Sequence, residues 1–285
     1  MNGTRDKPEA LSEKKYWDSI HAGRKGTGAP AHVRAARKII GPRVRERMRN
    51  YDDYLLWNVI YPSFIPGAGG SSVIEIGSAP GRHLVRMHEE LGCEVRGLEY
   101  SHDGAEANRE LFTRAGIDPG HLIEADLFDG VAAGRWSGHF DIVLSRGFIE
   151  HFDDPADVIE RHLQFLRPGG RLIVSIPNMR WANYLQALLF NRRLIPLHNR
   201  KIMRMKNFRA LFDPELLETL FCGYYGTARA DLFIHRRGPL TGFIRRFAEA
   251  VQAVLNLLFR LVLRDRGLDT SIFSPNLLFI GIKKH

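Results

Sequence analysis

The sequence has little cysteine. Only Cys93 and Cys222 occur in 285 residues, and they lie far apart in the chain. This excludes a disulfide framework, and no Cys and His pairs have the spacing of a zinc cluster. The sequence therefore predicts no metal site and a reducing, cytoplasmic compartment.

Long apolar runs are also missing. No stretch approaches the ~18 apolar residues that a membrane span needs. The first fifteen residues, MNGTRDKPEALSEKK, lack the apolar segment that follows the charges of a signal peptide. A cytoplasmic protein is expected, with contact to a membrane surface left open.

Acidic residues are absent from one long stretch. Residues 178–212 contain no Asp or Glu and carry a net charge of +8, and residues 233–266 carry +5. By contrast, residues 71–177 carry −8 within a chain of net charge +9. An acidic core with basic, apolar additions favours a partner that is anionic, apolar or both.

Residues 73–81, VIEIGSAPG, form the most informative motif. The pattern predicts a strand, a tight glycine turn and then a helix, which is the first unit of a nucleotide-binding α/β fold. A dinucleotide fingerprint would need glycine at the positions of Ala79 and Arg82. Pyrophosphate binding is therefore disfavoured.

Further strands alternate with helices, as in a parallel sheet. Strands are predicted over 94–100 and 140–145, a short strand followed by a turn over 122–129, a helix over about 155–166, and a turn running into a fifth strand over 166–178. Glu99 ends the second strand, 22 residues after Gly77. In doubly wound folds, a carboxylate at this place accepts hydrogen bonds from ribose hydroxyls.

With FDIVLS, EHFDDP and LRPGGRLIVSIPN downstream, these motifs resemble class I S-adenosylmethionine-dependent methyltransferases of the small-molecule type, similar to those that modify quinones and glycans. The resemblance covers about 72–178, and Ala79 stands where the family usually has its middle glycine. It implies an α/β, Rossmann-like, doubly wound sheet of seven strands whose last strand is antiparallel.

The resemblance also implies S-adenosyl-L-methionine as cofactor. Carried over to this chain, it predicts a cofactor site made of Glu75, Gly77, Ser78, Ala79, Gly81, Glu99, Tyr100, Asp126, Leu127 and Ser145. Asp126 is expected against the adenine amino group, with Leu127 beside the ring.

The extent of the resemblance also predicts the domain organisation. Residues 1–66 are predicted to be an N-terminal arm and helix, with 1–30 loosely ordered and a basic helix over about 31–60. Tyr16 and Trp17 are expected to fold over the cofactor or dock on the domain. Residues 67–285 are predicted to form the methyltransferase domain, with cap insertions at about 179–212 and 234–270 over the cofactor face.

The last third of the chain contains four predicted elements. Asp213 and Pro214 indicate the start of a helix over 213–221, followed by a strand over 224–233. An amphipathic helix is predicted over 240–263. The resemblance places the final strand, 277–283, between the fifth and sixth strands.

The chemistry expected of the site is methyl transfer to oxygen. His151 follows the fourth strand and is the candidate general base, because an imidazole suits proton removal near neutral pH. The alternative is that the Glu150–His151 pair only shapes the pocket. The motif typical of amino-group methylation after strand four is replaced by SRGF, and neither cysteine follows a proline as cytosine C5 methylation requires.

Three functional hypotheses remain open. The first is methylation of a hydroxyl on a small molecule, a sugar, glycolipid or isoprenoid-type acceptor that is anionic or lipid-linked. The second is an RNA-directed methyltransferase, which the aliphatic character of the basic additions disfavours. The third is a non-catalytic binding module. The helix over 240–263 is compatible with a membrane surface, the acceptor or a second subunit, and the oligomeric state stays open.

Overall fold

The computed structural model describes residues 7–22, 50–234 and 239–285. Its centre is a seven-stranded sheet in the order β3-β2-β1-β4-β5-β7-β6, and the predicted Rossmann-like fold is confirmed. The strands are β1 (Ser72–Ile76), β2 (Glu94–Glu99), β3 (Leu122–Glu124), β4 (Phe140–Arg146), β5 (Leu166–Pro177), β6 (Leu217–Tyr225) and β7 (Asn276–Lys283). The first five strands are parallel, and β7 is antiparallel to both β5 and β6, as predicted.

Helices cover both faces of the sheet. They are α1 (Lys14–Ala22), α2 (Tyr51–Leu55), α3 (Tyr61–Phe64), α4 (Arg82–Leu91), α5 (His102–Arg114), α6 (Val131–Trp136), α7 (Pro155–Phe165), α8 (Trp181–Phe190), α9 (Met205–Arg209) and α10 (Pro239–Val262). A π-helical turn, Leu56–Ile60, joins α2 to α3. Short 3₁₀ turns include Ile149–His151 and Arg192–Leu197.

The core forms two layers because side chains alternate along each buried strand. Ile74 and Ile76 of β1 face a cluster that includes residues of α7 and α8. Val73 faces the other cluster, which contains residues of the π-helical turn and of α3, α4 and α5. Strands β1, β4, β5 and β7 are buried on both faces over most of their length, which explains why they read as apolar runs.

Two predictions in the last third of the chain are wrong. The segment predicted as a helix over 213–221 is largely strand β6, because Asp213 caps only a single turn by accepting from the backbone N–H of Glu215. β6 then pairs along its length with β7. The strand predicted over 224–233 stops at Tyr225, where Gly226 takes a φ of +100° and turns the chain.

The N-terminal prediction is corrected in part. Residues 14–22 form helix α1 instead of a loose arm. Of the helix predicted over 31–60, residues 31–49 lie outside the described residues, and 51–60 are helical and packed on the sheet. Within the described residues, no helix has both the length and the apolar character needed to cross a bilayer.

Candidate active site

The turn after β1 brings the backbone close to a cavity. Gly77 and Gly81 have φ of +71° and +85°, in the left-handed region that glycine tolerates best. A Cβ on Gly77 would lie 2.6 Å from the ring of Phe148. Glycine at 77 is therefore required by both conformation and space.

Glu99 is held at the end of β2 by backbone donors. Its carboxylate accepts from the N–H of Ala79 at 3.2 Å and from the N–H of Ser101 at 2.9 Å. Burial raises the pKa of Glu99, and the backbone donors act in the opposite direction. These contacts fix the carboxylate and leave acceptor capacity for a ligand.

A main cavity of about 570 Å³ opens at the carboxyl ends of β1, β2 and β4, where doubly wound sheets bind ligands. Seven of the predicted site residues line it: Gly77, Ala79, Glu99, Tyr100, Asp126, Leu127 and His151. Glu75 and Ser78 line an adjoining side chamber. Gly81 precedes α4 and Ser145 is buried in β4, and neither lines the main cavity or the side chamber.

The N-terminal segment covers the main cavity. Lys7 forms an ion pair with Asp126. The backbone N–H of Leu11 donates to the carbonyl of His151 at 2.7 Å, and the Trp17 ring lies edge-on to the His151 imidazole at 4.9 Å. The sequence predicts that Trp17 either folds over the cofactor or docks on the domain. In the structure, the Trp17 side chain lines the main cavity.

The side chamber contains residues that the sequence did not indicate. Arg146, at the end of β4, donates to Nδ1 of His83 at 2.9 Å, and Nε2 of His83 is 2.7 Å from the Tyr61 hydroxyl. Burial and the neighbouring guanidinium of Arg146 hold the pKa of His83 well below its usual value. Neutral His83 thus orients Arg146, which lines both spaces.

His151 lies at the boundary between the main cavity and the side chamber. Its Nδ1–H donates to the carbonyl of Leu197 at 2.7 Å, which leaves Nε2 as the unprotonated nitrogen. Burial, reinforced by the neighbouring His198, lowers the pKa of His151 to about 3. Burial raises the pKa of Glu150, whose carboxylate lies 3.9 Å from His151 Nε2, to about 8.

Glu150, His151 and His198 offer three ligand atoms within 4.8 Å of one another. His198 also donates through Nδ1, to the carbonyl of Leu194 at 2.7 Å. The donor set suits a divalent cation chemically. The prediction that no metal is bound therefore stays a prediction.

Comparison with known proteins identifies the family. Residues 48–220, more than half of the chain, match the family described as methyltransferase domain. The chain is a class I S-adenosylmethionine-dependent methyltransferase. The predicted family and its cofactor are thereby confirmed.

Curated relatives of the methyltransferase include enzymes with different acceptor atoms. It is 29% identical over 176 residues to a ubiquinone biosynthesis O-methyltransferase of Aromatoleum aromaticum, covering 61% of this chain and 71% of that one. It is 25% identical over 114 residues to a geranyl diphosphate 2-C-methyltransferase of Streptomyces lasalocidi, covering 38% and 35%. It spans about half the length of further ubiquinone biosynthesis O-methyltransferases.

A solved structure shares the fold over nearly the whole chain. The putative methyltransferase bound to the Haloferax volcanii Trm112 activator superposes with a TM-score of 0.54 at 17% identity, covering 97% of this chain and 98% of that one. At this identity the likeness concerns the fold alone.

Proposed function

We propose that the methyltransferase transfers the methyl group of S-adenosylmethionine to a hydroxyl oxygen of a small-molecule acceptor, with His151 as the base. The observation that carries this proposal is the place of His151. His151 lines both the main cavity and the side chamber, and its Nδ1–H is engaged by Leu197, so Nε2 is the nitrogen free to accept a proton.

The main cavity fits the cofactor. Glu99, fixed by two backbone donors, would accept from the ribose hydroxyls, and Asp126 would accept from the adenine amino group once Lys7 shares or leaves it. The open backbone at Gly77 and Ala79 would lie against the methionine part. The bound cofactor supplies a methyl carbon on a positively charged sulfur, so the protein has mainly to align the reactants.

Proton removal is the second task. As the acceptor oxygen bonds to the methyl carbon and the carbon–sulfur bond breaks, the hydroxyl proton passes to Nε2 of His151. The products are the methyl ether and S-adenosylhomocysteine. A pKa near 3 makes His151 a weak base in the empty site, and ionisation of Glu150, whose carboxyl group lies 3.9 Å away, would stabilise the imidazolium that forms.

Relatives and charge support the acceptor class. The ubiquinone biosynthesis enzymes favour an oxygen acceptor on an isoprenoid-type molecule, and the geranyl diphosphate enzyme favours an anionic one. Arg82 and Arg146 line the side chamber and suit an anionic group. A sugar, glycolipid or isoprenoid-type hydroxyl acceptor is therefore preferred over RNA.

The test combines binding and turnover. Wild-type protein should bind S-adenosylhomocysteine in calorimetry and methylate members of a panel of prenylated phenols and glycolipids. His151→Gln should lower kcat by about 10²–10⁴-fold with unchanged S-adenosylhomocysteine binding. The control is His139→Gln, an exposed histidine at the opposite end of β4, which should keep full activity.

Two results would contradict the proposal. Undiminished turnover in His151→Gln would show that His151 is not the base and only shapes the pocket. Methylation of RNA that weakens steeply with salt, with no turnover of the small-molecule panel, would favour the RNA-directed alternative.

A further inference from the structure

Helix α10 packs against the rest of the domain through a face that carries polar side chains. Ala248, Gln252 and Asn256 follow one another at intervals of four and are buried. The Gln252 side chain accepts from the backbone N–H of Ala230 at 2.8 Å and donates to Asn256 Oδ1 at 2.9 Å. Amide hydrogen bonds, together with the packing of Phe259 on Tyr51, therefore anchor this helix.

The apolar stripe of α10 faces outward. Its members are between 48% and 69% exposed, at the spacing of one helix face: Phe243, Phe247, Val254, Leu258 and Leu261. A helix that packs on its own domain normally buries its apolar stripe. This inverted orientation leaves a contiguous apolar surface that needs another partner.

Helix α8 carries a second exposed apolar stripe. Trp181, Leu185 and Leu189 are between 54% and 66% exposed. Gln186 of α8 donates to the carbonyl of Arg229, and Gln252 of α10 binds the adjacent residue Ala230. Because both helices are tied to the same short segment after β6, they lie at the same end of the sheet.

Positive charge surrounds these stripes. Residues 178–212 and 233–266 together contain 15 Lys and Arg residues and two acidic ones. Arg246 of α10 and Arg264 just beyond it are exposed. Apolar side chains bordered by arginines match the interface of an anionic bilayer, where acyl chains lie beneath negative headgroups.

We propose that the exposed faces of α8 and α10 form a docking surface for an anionic lipid bilayer, with α10 lying in the plane of the interface. Its 24 residues, about 36 Å of helix, provide an elongated contact. A second copy fits less well. A two-fold contact would bring the same arginine-rich surfaces against each other.

Vesicle co-sedimentation tests the surface without requiring methyl transfer. Wild-type protein should bind phosphatidylcholine vesicles that contain phosphatidylglycerol, bind pure phosphatidylcholine far more weakly, and lose affinity as salt rises. Phe247→Ser combined with Leu258→Ser should weaken binding by about tenfold or more. Both side chains are exposed, so S-adenosylhomocysteine binding and the melting temperature should stay unchanged.

The control is Leu216→Ser, which changes an apolar residue that is 36% exposed at the opposite end of the sheet and should leave vesicle binding intact. Analytical ultracentrifugation accompanies both variants. Equal binding by the double variant, or no wild-type binding to anionic vesicles, overturns the proposal. So does a wild-type dimer that the double variant converts to monomer without any vesicle binding, because the face would then join two copies.

Discussion

Gly77 has a left-handed backbone conformation, and the ring of Phe148 fills the space that a Cβ at this position would need. Mutation can separate the cost of the backbone strain from the cost of the overlap. Gly77→Ala should cost about 2–4 kcal/mol of unfolding free energy, since strain at positive φ adds to the overlap with Phe148. Gly70→Ala is the matched control, because Gly70 has a φ of +77° with open space around it. It should cost only about 1–2 kcal/mol.

Urea unfolding of the two variants measures the difference, and calorimetry with S-adenosylhomocysteine should show weakened binding only for Gly77→Ala. Equal losses of stability in both variants would mean that Phe148 moves aside freely and that space at Gly77 is unimportant.

Single residues differ in how far the sequence predicts them. Glu99 and Asp126 follow strands at fixed distances from the glycine turn, so local pattern and family resemblance place them, and both line the main cavity. Lys7 and Arg146 carry no such pattern. Lys7 reaches Asp126 from 119 positions away, and Arg146 is oriented by a histidine 63 positions away. Contacts of this range depend on the finished fold.

At the scale of elements, α1 and the residues before it cover the main cavity, which is the proposed cofactor site. Trp17→Ala should weaken S-adenosylhomocysteine binding by about tenfold, because the ring lines the main cavity and contacts His151. Calorimetry at constant salt measures the change. Lys15→Ala, an exposed residue on the same helix, should bind as wild type. Full affinity in Trp17→Ala would show that the segment covers the cavity without contributing to binding.

The parallel strands were predictable because their apolar runs and glycine turns are local signals. β6 was not, since Asp213 and Pro214 resemble a helix start and the alternation that follows is weak. Its strand conformation comes from pairing with β7, about sixty residues later in the chain. Tertiary pairing here outweighs the local helix signal.

For the whole molecule, buried neutral histidines determine acid stability. Burial lowers the pKa of His162 to about 4 and that of His151 to about 3. Between these values and 6.5 the unfolded chain binds protons that the folded chain does not, so the unfolding free energy falls as pH drops. Once the pH is below both pKa values, the loss of stability amounts to roughly 3 kcal/mol for His162 and roughly 5 kcal/mol for His151. Urea unfolding at pH 7 and pH 5 should show this loss, and His162→Gln should reduce it.

Buried carboxyls act in the opposite direction. Burial raises the pKa of Glu75 and of Glu150 to about 8, so the folded chain holds these protons where the unfolded chain has lost them, and stability falls as pH rises from about 4.5 to about 8. Glu150→Gln mimics the protonated form. Its melting temperature relative to wild type should increase between pH 5 and pH 8, whereas the exposed Glu218→Gln should show no trend. A constant difference for Glu150→Gln would indicate that Glu150 ionises normally in the folded protein.

The position of β7 near the end of the sequence also determines when β6 can pair during translation. Among the strands that the structure describes, β6 pairs only with β7, so this edge of the sheet stays open until the roughly 50 intervening residues have been made. At ~5–20 residues per second, this leaves β6 without its partner for several seconds on the ribosome. During that interval, the nascent chain exposes both the unpaired edge of β6 and, once it has been made, the apolar stripe of α10. An unpaired strand edge favours wrong pairing with other chains, so β6 is most exposed to misassembly before β7 is made.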